Sequence, residues 1–403
     1  MASWWATLGL VASNMQGADV TPLADDIAFD AAPVLDWRVP LPGPKMSASI
    51  HTEAGGPLIH GNHIYVGTAS DDVLLVLHRE DGRLVTRLEA SAAVQSTPVI
   101  VADRLFYTDT AGTTWCRSLE DYAVVWSHDG GAPILSAPTV LSDRVVVANV
   151  ENVLVALDVQ TGALVWRHAQ RLDPSRSTEL ELYGAPAPTL AGELLLSGFS
   201  DGSMVALDLE SGTVVWQRRV GEGQYPDIIA EALVIEGAGG TTDAIVSGYT
   251  EPLVSIELES RNVRWRHDVG GAFAAVMGAE RRIYHGGNDG VLRAIDAVTG
   301  AIAWEWDSET EAALTQPVLT EAGLLVGASA GGFSLIDVDD GSLAWRFDDG
   351  YELAGITAAA AVHGRQAVVL TNAGNLYSFV VPQEEPDWAA ENAGMMPYVG
   401  GGR

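Results

Sequence analysis

The most suggestive chemistry in this chain is a serine set between glycines, and it occurs twice. Gly198-Phe-Ser200-Asp-Gly202 and Gly327-Ala-Ser329-Ala-Gly331 both fit GxSxG. A hydrolase elbow of that form needs a strand-to-helix turn that lifts the serine to its apex. Both copies instead fall at the same place of an internal repeat, on a strand entering a hairpin. They are read as turn residues. His60 and His63 (HGNH) have the side chains of a weak metal pair, but no carboxylate or third ligand accompanies them. A solvated turn is the reading. Gly237-Ala-Gly239-Gly240 is glycine-rich, yet a phosphate cradle requires a following helix. With none following, the segment is read as a flexible insertion in a long connection. Cys116 is the single cysteine, which excludes an internal disulfide and a cysteine-based zinc cluster. No catalytic residue, metal or cofactor is expected.

The elements that hold these residues repeat. The phrase Ala-Leu-Asp-x-x-Thr-Gly-x-x-x-Trp recurs as LVALDVQTGALVW ending at Trp166, MVALDLESGTVVW at Trp216, LRAIDAVTGAIAW at Trp304 and FSLIDVDDGSLAW at Trp345. Weaker copies end at Trp126 and Trp265, and another ends at Thr86, where the tryptophan is lost and a weaker junction is expected. The period is near 44 residues, the size of a four-stranded propeller blade. Upstream of each phrase lie two further strands. Asp201-Gly202 and Asp289-Gly290 stand between strands and favour a type I′ hairpin turn. Asp158, Asp208, Asp296 and Asp337 start the next turn, and Gly162, Gly212, Gly300 and Gly341 supply its permissive backbone.

Seven copies start between Pro57 and Thr315, and an eighth starts near Thr357 and stops after three strands. PVLDWRV (33–39) is an orphan strand of the tryptophan type, and Trp37 lies 49 residues before Thr86, in register. The expected fold is therefore all-β: an eight-bladed β-propeller of four-stranded antiparallel blades, closed by the amino-terminal strand. Closure removes exposed sheet edges from the ring. Trp37, Trp126, Trp166, Trp216, Trp265, Trp304 and Trp345 are read as structural, each packing on the neighbouring blade. Residues 1–32 are expected to be a signal-like or disordered segment, 33–381 the propeller, and 382–403 a disordered tail. Trp4 to Ala12 forms a short apolar stretch of the kind found in secretory signals, although no basic residue precedes it and no lipid-attachment cysteine follows.

The composition agrees with a folded protein that avoids nucleic acid. Apolar residues make up 47% of the chain, too many for a disordered one. Acidic residues number 53 against 22 basic, a formal charge of −31, which opposes phosphate backbones and anionic lipid surfaces.

The Ala-Leu-Asp-x-x-Thr-Gly-x-x-x-Trp repeat resembles that of the PQQ-like β-propeller family. Within it the chain resembles the outer-membrane protein assembly factors, over nearly all of 33–380, including the ending Gly-Asn-Leu-Tyr-Ser-Phe at Phe379. The resemblance implies a non-enzymatic periplasmic scaffold, associated with the outer membrane, that binds the periplasmic domains of the barrel insertase. The site it implies is Leu-x-Leu-Arg-Gly in one connection and Asp-x-Asp one blade later. Leu180 and Leu182 match the leucines, Tyr183 stands for the arginine, Asp227 matches the first acid and Ile229 replaces the second. The free edge of a blade is a further place where a partner strand can add. Two alternatives share the repeat: a scaffold of another envelope complex, and a quinone-binding dehydrogenase or ligand sensor, which requires cationic and calcium-binding groups at the ring axis.

Overall fold

A computed structural model describes residues 32–41, 53–171, 185–221, 225–250, 252–347 and 355–381. Of the segments expected to be signal-like (1–32) and tail-like (382–403), all but Ala32 lie outside the described residues, as do Leu180, Leu182 and Tyr183. The described chain forms eight antiparallel sheets of four strands each. Seven are simple meanders, with the first strand innermost and the fourth outermost, as in blade 1 with Leu58–His60, His63–Thr68, Asp71–His78 and Leu84–Glu89. The eighth takes three strands from the carboxyl end and its outermost strand, Val34–Pro40, from the amino end. That strand pairs with Asn375–Val380, Trp37 facing Ser378. Closure in the expected register is thus present.

The strands form because apolar β-branched residues fill both faces of the second and third strands. In blade 3, Arg144–Asn149 is buried throughout and Val153–Asp158 nearly so. Each blade contributes one side to two inter-blade layers. One layer joins Val145, Val147 and Val155 to blade 2, and another joins Val146, Leu154 and Ala156 to blade 4. Such a ring has no single centre; its core is eight sandwiched layers.

What locks one blade to the next is a tryptophan–glycine pair. The outer-strand tryptophan of one blade lies on the glycine of the following blade's last turn. A Cβ built on Gly82 would come within 2.9 Å of Trp37, and on Gly162, Gly212, Gly300 and Gly341 within 2.6, 2.5, 2.6 and 2.6 Å of Trp126, Trp166, Trp265 and Trp304. The glycine is therefore needed for close approach as well as for its positive φ. The indole N–H closes the lock by donating to a carbonyl of the same turn: Trp37 to Arg79 (3.2 Å), Trp126 to Val159 (3.0 Å), Trp166 to Leu209 (2.9 Å), Trp265 to Ala297 (2.9 Å) and Trp304 to Val338 (3.0 Å).

Three junctions depart from this lock. Between blades 1 and 2 the tryptophan is Thr86 and the glycine is Tyr122, at φ +60. The junction is refilled. Tyr122 and Tyr65 share a hydroxyl contact of 3.1 Å, and Arg117 donates to the Tyr107 hydroxyl, the Tyr122 carbonyl and the Glu89 carbonyl while lying over Trp115. Between blades 7 and 8 the chain ends replace the turn, and Trp345 packs edge-on to Phe333 and Phe379. Between blades 4 and 5 the tryptophan is kept and the glycine is Arg261.

Two details differ from the expected hairpins. Gly202 is at φ +82 but Asp201 is not at positive φ, and the Gly202 N–H donates to the Phe199 carbonyl. Ser200 and Asp201 are thus the central residues of a type I turn followed by a bulge glycine, not a type I′ pair. The reason is Asp201 itself, whose carboxylate accepts the Ser203 N–H and so holds an ordinary φ. The outermost strand of every blade also carries a register shift just before its tryptophan position. A bulge twists an edge strand and breaks its row of free peptide groups, which blunts addition of another strand. The outer edge is a poorer docking place than the sequence suggests.

Candidate functional site

The meander sorts the connections between two faces. Turns joining strands one to two and three to four lie on one face. Turns joining strands two to three, and the links from each outermost strand to the next blade, lie on the other. The links implicated by the sequence are the one between blades 3 and 4, which holds residues 172–184, and the one between blades 4 and 5, residues 220–232. The described ends of both belong to the second face.

The first link is anchored at both ends. Gln170 donates its N–H to the Asn152 carbonyl at 3.0 Å, and Thr139 donates its hydroxyl to the Pro188 carbonyl at 2.6 Å. The Asn152 side chain, from a residue at φ +61, also accepts the Ser200 N–H at 2.9 Å, tying the turns of blades 3 and 4 together. Phe199 and His168 pack beneath, rings 6.1 Å apart. Leu180, Leu182 and Tyr183 belong to the stretch between these anchors that lies outside the described residues.

The second link is stitched down more closely. Val220 and Gly221 both donate to the Gly202 carbonyl, Ile228 to the Phe199 carbonyl, and the Asp227 carbonyl accepts the Tyr249 N–H at 2.8 Å. Ile228 fills the notch left by Gly198, where a Cβ would meet it at 2.3 Å. Asp227 is consequently 0% exposed. It lies under the face, so it shapes the link while the half-buried Tyr225 and Ile229 reach the surface. Alternation along the sequence hides this, because the burial comes from bonds across two blades.

The other residues singled out by type are accounted for locally. Ser200 and Ser329 sit in hairpin turns with no helix after them. His60 and His63 flank a turn and pair across it, and the ring of His78, which sequence spacing does not bring to mind, lies 5.8 Å from that of His63. Burial and the neighbouring imidazoles push the basicity of His63 down. Gly237–Gly240 is a closed single turn rather than a flexible insertion. Gly237 donates to the Thr241 carbonyl at 2.7 Å, and the Thr241 hydroxyl to the Ala238 carbonyl at 3.1 Å. Cys116 is buried, and burial pushes its thiol up, away from thiolate chemistry. Among the described residues no three His, Cys, Asp or Glu side chains converge to hold a metal ion.

Two buried titratable groups stand out. Glu53 begins the innermost part of blade 1, where the equivalent places hold Val94, Ile134, Ile228 and Ile356. Its N–H docks on Asn372 of blade 8 (2.9 Å) and its carboxylate accepts the Ala69 N–H (2.7 Å), while burial pushes its pKa up to about 7. His285 is fully buried between blades 5 and 6, with Nε2 3.2 Å from the Ser247 hydroxyl and Nδ1 without a partner among the described residues. Burial pushes its pKa down to about 4.

Comparison with known proteins places this ring. It is similar in structure to BamB from Moraxella catarrhalis (TM-score 0.70, 17% identity, covering 87% of this chain and 100% of that one). It is also similar to a europium-containing methanol dehydrogenase (TM-score 0.70, 13% identity, 87% and 93% covered) and to a quinohemoprotein alcohol dehydrogenase from Pseudomonas putida HK5 (TM-score 0.68, 13% identity, 90% and 80% covered). These likenesses concern the fold alone. No curated protein sequence matches the chain. The sequence does match the family model of the outer membrane protein assembly factor BamB over residues 27–131, 99–304 and 253–394, and so the chain belongs to the BamB family.

Proposed function

We propose that the protein is a non-enzymatic periplasmic scaffold of the outer-membrane β-barrel assembly machinery, and that it grips the periplasmic domains of the barrel insertase. The observation that carries this reading is the family match running from 27 to 394 without a gap. A rigid closed ring suits the task, since it presents several links on one face at fixed spacing. The grip centres on Leu180, Leu182 and Tyr183 of the link between blades 3 and 4. Tyr225 and Ile229 of the next link take part in it, and Asp227 holds that link from beneath. Apolar anchors of this kind, ringed by polar neighbours, supply most of the energy of a small interface. Leu180→Ala combined with Leu182→Ala is expected to cut capture by the insertase's periplasmic domains about tenfold or more, with the melting temperature unchanged. Unchanged capture would remove this site.

A second reading has its own observation. Tyr183 and Ile229 replace the arginine and the second acid of the implied site, which fits a scaffold that serves a different envelope complex. Co-purification from native membranes, with the partners identified by mass spectrometry, separates the two.

A further inference from the structure

The junction between blades 4 and 5 keeps the tryptophan of the lock and loses its glycine. Arg261 occupies the turn at φ +64. In the intact locks a Cβ at this place would lie 2.5–2.9 Å from the preceding indole, so the side chain of Arg261 holds the turn off Trp216. The consequence is visible at the indole. Trp216 is only 6% exposed, and its Nε1 finds no acceptor among the described residues. In the other locks the carbonyl at the place of Leu258 accepts it. A shallow groove of about 180 Å³, lined by Ala191, Gly192, Leu194, Thr242, Leu258 and Glu259, opens at the same junction, and Ala191, Leu258 and Trp216 share one apolar cluster.

Among the described residues no buried refilling matches that of the other two exceptional junctions. Arg264, the bulge residue of this outer strand, turns back into its own blade and bonds Asp243 and Glu257. Toward the ring's inner side the junction is bonded, the Thr189 hydroxyl donating to the Ala232 carbonyl at 3.0 Å and the Ile228 N–H to the Phe199 carbonyl, but at the outer turn the bond from the Arg218 guanidinium to the Arg261 carbonyl joins exposed groups and leaves the indole unserved. Thr86 and Tyr122 show the alternative: where the turn gains a side chain, the preceding blade gives up its tryptophan. At Trp216 and Arg261 both large residues are present.

We propose that the junction between blades 4 and 5 is the ring's compliant seam, the place at which the closed propeller opens first. A buried donor without an acceptor makes the closed state easier to leave, and local opening follows the least stabilised contacts. The link over this seam carries Asp227 and Ile229, so opening moves that part of the second face. The proposal concerns the ring itself and holds whatever the partner.

The test is 1H–15N spectroscopy of the full chain with its indoles labelled, the Trp216 signal being assigned with Trp216→Phe. The Trp216 N–H is expected to exchange with solvent about tenfold faster than those of Trp126, Trp166 and Trp265, and Arg261→Gly to slow it about tenfold. Gly212→Arg builds the same conflict at the junction between blades 3 and 4 and is expected to bring Trp166 to the rate of Trp216. If that variant does not fold, Arg261→Gly decides alone. A Trp216 signal as protected as Trp166 in the parent overturns the proposal, as does a rate that Arg261→Gly leaves unmoved.

Discussion

Gly212→Ala is expected to lower stability by about 3 kcal/mol, and Gly192→Ala, in the same blade, by about 1 kcal/mol. The two glycines have nearly the same backbone, φ +66 and +64. A left-handed conformation costs an ordinary residue about 1–2 kcal/mol at either place. They differ in what a side chain would meet. Around a Cβ on Gly192 none of the described residues lies within 4 Å, whereas at Gly212 the new methyl would fall 2.5 Å from Cδ2 of Trp166. That ring cannot swing away without breaking its bond to the Leu209 carbonyl and leaving the layer it shares with Leu154, Ala156 and Leu207. Overpacking of this kind adds about 1–3 kcal/mol. Urea unfolding of both variants beside the parent measures the difference. Equal losses would mean that the lock depends on backbone conformation alone and that close approach to the indole contributes nothing.

The ring itself was legible because its repeat is a physical unit. The Asp and Gly of each phrase mark one turn, and the carboxylates of Asp158, Asp208 and Asp296 do accept the N–H groups two or three residues ahead. The amino-terminal strand was legible because Trp37 keeps the spacing. What stayed hidden was pairing between successive copies. Reading each copy alone explains Gly162 by its φ. Only Trp126 set against Gly162 shows the contact, and only Thr86 set against Tyr122 shows how the contact is relinquished. That signal was present in the sequence at an offset of one blade. The candidate site was less legible. Asp227 matched a motif by type, but its burial depends on bonds from Tyr249 and Ile228, both placed by neighbouring turns rather than by local pattern. The unsatisfied indole of Trp216 was equally beyond local reading, since it follows from Arg261 forty-five residues on.

Glu53→Gln is expected to stabilise the protein by about 3 kcal/mol at pH 8 and to leave it unchanged near pH 4.5. Glu53 stands in a slot that four other blades fill with aliphatic residues, at the junction where the amino- and carboxyl-terminal strands close the ring. Its carboxylate keeps one backbone donor, the Ala69 N–H, which does not offset the loss of water. Folding therefore favours the protonated form, with a pKa of about 7 against 4.5 for the free side chain. Below 4.5 both states are protonated and the group costs nothing. Between 4.5 and 7 the unfolded chain releases the proton while the folded one retains it, so stability falls by about 1.4 kcal/mol per pH unit. Above 7 the loss is complete. The introduced amide has the shape of the protonated acid and still accepts from Ala69, so the gap between variant and parent isolates the carboxyl group. His285 acts in the opposite sense. Its folded-state pKa of about 4 means that stability present above pH 6.5 is lost as pH falls toward 4, and this loss is common to parent and variant. It therefore cancels in the gap, although it tilts both curves. Chemical unfolding at half-unit steps from pH 4.5 to 8 measures the gap. A constant offset across that range would show that Glu53 enters the fold already charged, and that the ring closes around a carboxylate rather than a carboxylic acid.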